Sequence, residues 1–177
     1  MVNAPRFKEQ RAELVTTERL FLEPLKVAHA TEMVPVLDDP ELHKYVGGKP
    51  LSLDELRERY QHQVRGRSRD GAQRWFNWII RERATGAAVG FVQATVDMAS
   101  GTADVAWVVG STFQGRRFAR EAASAMVSWL RGQDVAAITA HIHPDNASSE
   151  GVARALGLAP TQTVRSGEVR WESRSQT

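Results

Sequence analysis

The sequence predicts a protein of the α+β class, and three observations support this assignment. Several apolar segments are separated by short glycine-containing turns, which is typical of strands joined as hairpins. One stretch, 103–142, has the pattern of a strand, a helix and a second strand. The chain has 177 residues, of which 42% are hydrophobic and 25% charged, so we expect a single domain over 1–177 with its own core.

The first half of the chain predicts a strand, two helices and a hairpin. Residues 20–24 are apolar enough for a strand, and 26–37 carry apolar side chains on one helical face. A second helix is predicted over 51–67, because Ser52 and Glu55 form a capping box at its start. The hairpin consists of strands at 75–83 and 88–97 around a turn at 84–86.

The second half begins with a strand at 103–110, after a turn at 99–101. Residues 116–131 then place Phe118, Ala122, Ala125, Met126, Trp129 and Leu130 on one stripe, opposite arginines and serines, which predicts an amphipathic helix. The remaining predicted elements are a strand at 135–142, a helix at 148–157 and strands at 161–165 and 168–173.

Composition excludes several classes of protein. There is no cysteine, which excludes disulfides, thiolate metal sites and a catalytic thiol. A net charge of +2 is too small to imply nucleic-acid binding by itself. The start of the chain, residues 1–15, lacks the apolar core of a signal sequence, and no apolar run approaches membrane-spanning length. We therefore expect a cytoplasmic protein without membrane contact.

The segment FQGRRFAREA, residues 113–122, places three arginines at the start of a helix. That end of a helix already carries unpaired N–H groups and the positive pole of the backbone dipole, so the arginines are locally unfavourable. Gly115 and Ala119 are small enough to let a ligand approach the backbone. The pattern is suited to a phosphate site, although an arginine-rich helix start, taken alone, is more often a solvated surface.

The same segment resembles a loop of the GCN5-related N-acetyltransferases. Residues 114–122, QGRRFAREA, resemble their acetyl-coenzyme A pyrophosphate loop, most closely the version in the branch that acetylates ribosomal-protein N-termini. TTERLFLEPL (16–25), ADVAWVVG (103–110) and the asparagine–serine segment before VARALGL are similar to other parts of that branch, in the same order. The resemblance covers about 16–173.

This resemblance implies a mostly antiparallel mixed sheet with helices on both faces. It also implies that strand 105–110 splays from strand 135–142, that the pantetheine arm pairs with the first of them, and that N–H groups near Val108 polarise the thioester carbonyl. Acetyl-coenzyme A is the implied co-substrate, with no metal. The implied coenzyme A contacts are Trp107, Val108, Val109, Gln114, Gly115, Arg116, Arg117, Phe118, Ala119, Arg120, Asn146 and Ser149.

Two positions depart from the family pattern. The middle glycine of the loop is Arg117 here, so a residue with a side chain must approach the ligand. Many members have a tyrosine where this chain has Ala153, which removes that residue as an acid. These departures leave open a non-catalytic acyl-coenzyme A-binding or RNA-associated module as the alternative function.

Acyl transfer from a thioester to an amine needs a proton donor for the thiolate and a neutral amine. We predict Ser149 as the donor, with Asn146 close by, although Ser148 or Ser149 could instead cap the helix. Asp104 is the first candidate for the base and Glu168 the second, and a chain of water molecules could replace either. Without cysteine, we expect direct transfer in a ternary complex.

The acceptor pocket is predicted to contain His43, Tyr45 and Trp107, which could equally be core residues. The acceptor could be a protein N-terminus, an aminoglycoside, a polyamine or an amino-acid derivative, and a homodimer is possible. Two further patterns have other interpretations. The sequence HIHPD (141–145) resembles a metal hydrolase motif, and the arginines and aromatics of 65–78 are compatible with RNA contact. We interpret both mainly as strand residues.

Overall fold

The computed structural model describes residues 11–45 and 47–173. The strands in these ranges are β1 (Val15–Thr16), β2 (Leu20–Pro24), β3 (Gln73–Glu82), β4 (Ala88–Asp97), β5 (Thr102–Val109), β6 (Ala137–Ile142), β7 (Leu158–Arg165) and β8 (Glu168–Ser173). The helices are α1 (Ala30–Leu37), α2 (Leu53–Gln63), α3 (Phe118–Gly132) and α4 (Ala147–Ala155). Short 3₁₀ turns occupy Val27–His29, Pro40–His43 and Ser111–Phe113.

The expectation that a signal sequence is missing rests largely on residues 1–10, which lie outside the described residues. Across the described part of the chain, no helix combines the length and the apolar character needed to cross a membrane.

All eight strands form one sheet in the order β1-β2-β3-β4-β5-β6-β8-β7. Neighbouring strands are antiparallel except β5 and β6, which are parallel and are connected through α3. A parallel pair needs such a crossover, whereas the antiparallel hairpins β3–β4, β4–β5 and β7–β8 are joined by short turns. The predicted α+β class with a mixed, mostly antiparallel sheet is confirmed.

Helices cover both faces of the sheet. On one face, α3 and α4 pack over the larger core, and α3 buries the predicted stripe from Phe118 through Met126 to Leu130. Two predicted stripe members, Ala125 and Trp129, are only partly buried. On the other face, α1 and α2 enclose a smaller core with parts of β3 and β4. β3 and β4 therefore contribute buried residues to both cores, because successive side chains of a strand point to opposite faces of the sheet.

Several predicted boundaries shift for identifiable reasons. The helix predicted from 116 begins at Phe118, because Arg117 has a left-handed backbone with φ 61°. The helix predicted to 67 ends at Gln63, and Gly66 with φ 70° turns the chain into β3. The strand predicted from 161 begins at 158 by pairing with β8. The two residues of β1 carry too little pattern to be predicted.

The capping box at the start of α2 is confirmed. The Ser52 hydroxyl accepts a hydrogen bond from the Glu55 N–H at 3.2 Å, and the Glu55 carboxylate accepts one from the Ser52 N–H at 2.8 Å. Because the two residues satisfy each other's backbone groups, α2 begins at a defined residue above the sheet.

The parallel pair β5 and β6 separates soon after it begins. Only Thr102, Ala103 and Asp104 pair with β6, opposite Ala137, Ile138 and Thr139. Beyond them β5 remains paired with β4 as far as Val109, and β6 remains paired with β8 as far as Ile142. The predicted splay is therefore present, and in the described part of the chain one edge of β5 from 105 to 109 has no strand beside it.

Gly90 holds β4 against β5 in this region. A Cβ added to Gly90 would lie 2.1 Å from the carbonyl oxygen of Val108, a backbone atom that cannot move without shifting β5. We expect Gly90→Ala to lower the free energy of unfolding by about 1–3 kcal/mol, as overpacking does. Chemical denaturation monitored by circular dichroism measures this change.

Gly132→Ala is the matched control, because an added Cβ at Gly132 meets no atom within 4 Å and the residue ends α3. Its effect should be neutral or stabilising by up to about 1 kcal/mol. Equal stability of Gly90→Ala and the unchanged protein would contradict the described contact between β4 and β5.

Candidate active site

The turn between β5 and α3 presents a row of backbone N–H groups. Within the described residues, none of the N–H groups of 115–120 donates a hydrogen bond to an acceptor. Gly115 with φ 78° and Arg117 with φ 61° are both left-handed, which makes a concave turn of N–H groups suited to phosphate oxygens. An added Cβ at Gly115 meets no atom within 4 Å, so the space beside the turn is open.

The three arginines of this turn have different surroundings. Arg116 forms an ion pair with the buried Glu82, and its guanidinium lies 4.4 Å from the centre of the Phe118 ring. Arg117 and Arg120 instead line a cavity of about 330 Å³, here called the loop cavity, between the turn and α4. The sequence pattern does not distinguish the three arginines. In the structure, only Arg117 and Arg120 line the cavity and can contact an anion there.

The beginning of α3 is fixed by Glu121. Its carboxylate accepts hydrogen bonds from the Thr17 hydroxyl at 2.6 Å and the Arg19 N–H at 2.9 Å, and pairs with the Arg19 guanidinium at 2.7 Å. Arg19 also donates to the carbonyl of Arg116 at 3.0 Å. Burial raises the pKa of Glu121, but the hydrogen bonds from Thr17 and Arg19 outweigh it and hold the pKa below its ordinary value. The sequence analysis missed this anchor, whose partners lie 102 and 104 residues away.

A larger cleft of about 470 Å³ continues from the loop cavity along β5. Val109 borders the loop cavity, whereas Val108 and Trp107 border the large cleft. On α4, Ser148 lines the loop cavity and its neighbour Ser149 lines the large cleft. The two spaces therefore follow one path along the unpaired edge of β5.

The large cleft contains the residues predicted for the acceptor pocket. His43 and Tyr45 line it together with Trp107, so these predicted neighbours do share one space. The Tyr45 ring lies 5.3 Å from the ring of His143, centre to centre. The contribution of these residues to acceptor binding remains a prediction.

Asp104 lies at the point where β5 and β6 separate. Its carboxylate accepts hydrogen bonds from the Thr139 hydroxyl and from His141 Nδ1, both at 3.1 Å. Asp104 is absent from the lining of the large cleft, whereas His141 and Glu168 are part of it. The structure thus places the first predicted base behind a histidine, and the second predicted base in the cleft itself.

The metal interpretation of HIHPD finds no support in the geometry. His141 Nδ1 faces Asp104, and His143 Nδ1 accepts a hydrogen bond from the Asp145 N–H at 3.2 Å. Among residues 11–45 and 47–173, no group of three or more histidine, aspartate or glutamate side chains is arranged to hold a metal ion.

The predicted thiolate residues meet at the start of α4. Asn146 is the N-cap, and its side-chain oxygen accepts a hydrogen bond from the Ser149 N–H at 3.2 Å. The alternative that Ser148 or Ser149 caps this helix is therefore wrong. The Ser149 hydroxyl makes no hydrogen bond within the described part of the chain and borders the large cleft, which leaves it available to a ligand.

The segment 65–78 is explained by the sheet. Phe76 and Trp78 are buried in the larger core, and Trp75 packs its ring 4.7 Å from that of His62. The interpretation of these aromatics as strand residues is confirmed, because all three lie on β3.

Comparison with known proteins decides the family. The model of the acetyltransferase (GNAT) domain matches residues 19–159. The chain belongs to this family of acetyltransferases. The N-acetyltransferase p20 of Bacillus licheniformis, itself uncharacterised, is 24% identical over 159 residues, which cover 88% of each protein.

Solved acetyltransferase structures have the same fold at low sequence identity. RimL, the ribosomal L7/L12 alpha-N-protein acetyltransferase solved in complex with coenzyme A, superposes with a TM-score of 0.76 at 17% identity, covering 92% of this chain and 97% of that one. An acetyltransferase from Agrobacterium tumefaciens superposes with a TM-score of 0.73 at 21% identity, covering 95% and 98%. The family predicted from the loop motif is confirmed.

Proposed function

We propose that this GNAT acetyltransferase transfers the acetyl group of acetyl-coenzyme A to a primary amine in one step within a ternary complex. The observation that carries this proposal is the path along β5. It has a turn of unpaired N–H groups at one end, an unpaired strand edge in the middle and a large cleft at the other end. A long ligand with an anionic end and a reactive end matches these three parts in order.

In this proposal, different residues of the chain bind different parts of acetyl-coenzyme A. The N–H groups of 115–120, with Arg117 and Arg120, would hold the pyrophosphate. The free edge of β5 at Val108 would pair with amide groups of the pantetheine arm, as an added strand would, and polarise the carbonyl. The bound donor supplies a thioester that an amine can attack. Gln114 supports the turn by donating to the Val109 carbonyl at 3.0 Å.

Ser149 is the proposed proton donor to the departing thiolate. It borders the large cleft beside β5, and Asn146 orients its backbone from the start of α4. Ala153, where many relatives have a tyrosine, is fully buried in the core and cannot serve. Because the chain has no cysteine, no acetyl-enzyme intermediate can form on a thiol, which is consistent with direct transfer.

The proposed acceptor is a protein N-terminus or a small-molecule amine. The large cleft is roomy enough for either and is lined by aromatic, amide and charged side chains. The likeness of fold to RimL, named for acetylation of a protein α-amino group, supports testing a peptide N-terminus first.

Coenzyme A binding tests the turn between β5 and α3. At a hundred times its dissociation constant, coenzyme A should raise stability by about 2.7 kcal/mol, seen as a thermal shift. Arg120→Ala should weaken binding by about 1–2 kcal/mol, because it removes a charge-assisted contact. Gly115→Val should weaken it more, since the side chain fills the approach to the N–H groups.

Arg116→Ala is the matched control for Arg120→Ala, because its guanidinium is occupied by Glu82 outside the loop cavity. Arg116→Ala should lower the stability of the fold, and its affinity for coenzyme A, measured by isothermal titration calorimetry, should be close to that of the unchanged protein. The proposed site would be contradicted if both arginine variants lost the same affinity for coenzyme A and Gly115→Val lost none. That result would indicate binding by a diffuse positively charged surface.

Ser149→Ala should lower kcat by roughly 10²–10⁴-fold and leave coenzyme A affinity and melting temperature nearly unchanged, because the donated proton matters mainly in the transition state. Asn146→Ala should instead lower stability by about 0.5–2 kcal/mol, as loss of a helix cap does. Single-turnover kinetics and thermal melts on both variants separate the two roles. A Ser149→Ala enzyme with unchanged kcat would remove this residue as the acid.

Release of free thiol from acetyl-coenzyme A tests the reaction itself. A short peptide with a free N-terminus, spermidine, an aminoglycoside and free amino acids form the panel, with the N-acetylated peptide as the matched control. The peptide with a free N-terminus should accelerate release, and its blocked form should not. Tight binding of coenzyme A without release for any amine would favour the non-catalytic acyl-coenzyme A-binding module.

A further inference from the structure

A carboxylate, a hydroxyl and an imidazole meet where β5 and β6 diverge. Asp104 is the last residue of β5 that pairs with β6, and Thr139 and His141 lie on β6 on the same face of the sheet. One carboxylate oxygen of Asp104 accepts from both Thr139 and His141 Nδ1, at 3.1 Å each. The imidazole is therefore held at the mouth of the splay by residues of both strands.

This contact sets the tautomer of His141. An ionised carboxylate only accepts hydrogen bonds, so Nδ1 carries the proton and Nε2 keeps its lone pair. Nε2 makes no hydrogen bond within residues 11–45 and 47–173, and the side chain is 27% exposed and lines the large cleft. The imidazole that carries this lone pair thus lines the same cleft as Ser149.

His143 is oriented in the opposite way. Its Nδ1 accepts the N–H of Asp145 at 3.2 Å, so its neutral form carries the proton on Nε2. The two imidazoles line the same cleft, but only His141 presents a nitrogen ready to accept a proton.

Building on the proposed function, we infer that His141 is the general base of the reaction and that Asp104 is its positioning residue. Nε2 takes the proton that the amine nitrogen loses as its electron pair forms the bond to the acetyl carbon. The carbon–sulfur bond breaks with its electron pair on sulfur, which receives the Ser149 proton. Water carries the proton from His141 back to Ser149, so the products are the N-acetylated amine and free coenzyme A. The Asp104 carboxylate stabilises the imidazolium while it exists.

Charged groups surround His141 on several elements. Arg170 of β8 is its direct pairing partner and so shares its face of the sheet. The other charged or titratable groups around the cleft are His43, Tyr45, Lys49, Arg59, Tyr60, His143 and Glu168, and Asp104 lies behind the ring on β5. Of these, Asp104 is the one in hydrogen-bond contact with the ring, which is why its removal is the informative change.

The test measures kcat/KM against pH with the free-N-terminus peptide as acceptor. In the unchanged enzyme, the logarithm of kcat/KM should fall with a slope of two at low pH, because the amine and the imidazole must both be unprotonated. In His141→Gln the slope should become one, and the rate should fall by roughly 10²–10⁴-fold, while coenzyme A affinity stays the same. Asp104→Asn should lower kcat by a smaller factor without changing the KM for the peptide.

His143→Gln is the matched control, and it should keep the slope of two. A slope of two that persists in His141→Gln but becomes one in Glu168→Gln would overturn the inference in favour of Glu168.

Nitrogen-15 spectra of the imidazoles give a readout independent of turnover: His141 should be protonated on Nδ1 and lose this preference in Asp104→Asn. If coenzyme A binds and no amine is acetylated, the proposed function fails together with the inference. If acetylation proceeds unchanged in His141→Gln, only the inference fails.

Discussion

The rest of the active site depends on the early separation of β5 and β6. After the Asp104–Thr139 pair, each strand keeps its outer neighbour, β4 for one and β8 for the other. The sheet can therefore open without losing either strand. The cost is a row of unpaired backbone groups on β5, which must bind water or an extended ligand. The start of α4 and the His141 ring both border this opening, so the proposed binding surface and the proposed reactive groups share one structural feature.

The turn between β5 and α3 depends on a conformation that is unfavourable for one of its residues. Arg117 has φ 61°, in a region that glycine enters freely but an arginine enters at a cost of roughly 1 kcal/mol or more. The contacts around it compensate. Arg19 ties the carbonyl of Arg116 to Glu121, and the Arg116 side chain is held by Glu82. The flanking residues are fixed, so the backbone between them keeps its concave shape with a side chain in place of the family's glycine.

Local patterns predicted most of the fold, and long-range pairings account for what they missed. The hairpin of β3 and β4, the stripe of α3 and the capping box of α2 each depend on residues within a few positions of one another. The turn between β5 and α3 was predictable for the same reason. The Glu121 anchor and the Asp104–His141 pair join residues that are more than 30 positions apart. No local signal specifies which residue of β6 lies opposite Asp104, because the register of a parallel pair is set by packing.

The two histidines of HIHPD show why residue type alone did not assign their chemistry. As a sequence pattern they resemble metal ligands, and alternation places them on one face of a strand. In the structure their Nδ1 atoms have unlike partners, a carboxylate for His141 and a backbone N–H for His143. A partner that accepts leaves Nε2 basic, whereas a partner that donates leaves Nε2 protonated. Whether Nε2 carries the proton is therefore set by the atom in contact with Nδ1, and for His141 that atom belongs to Asp104, the last paired residue of the neighbouring strand.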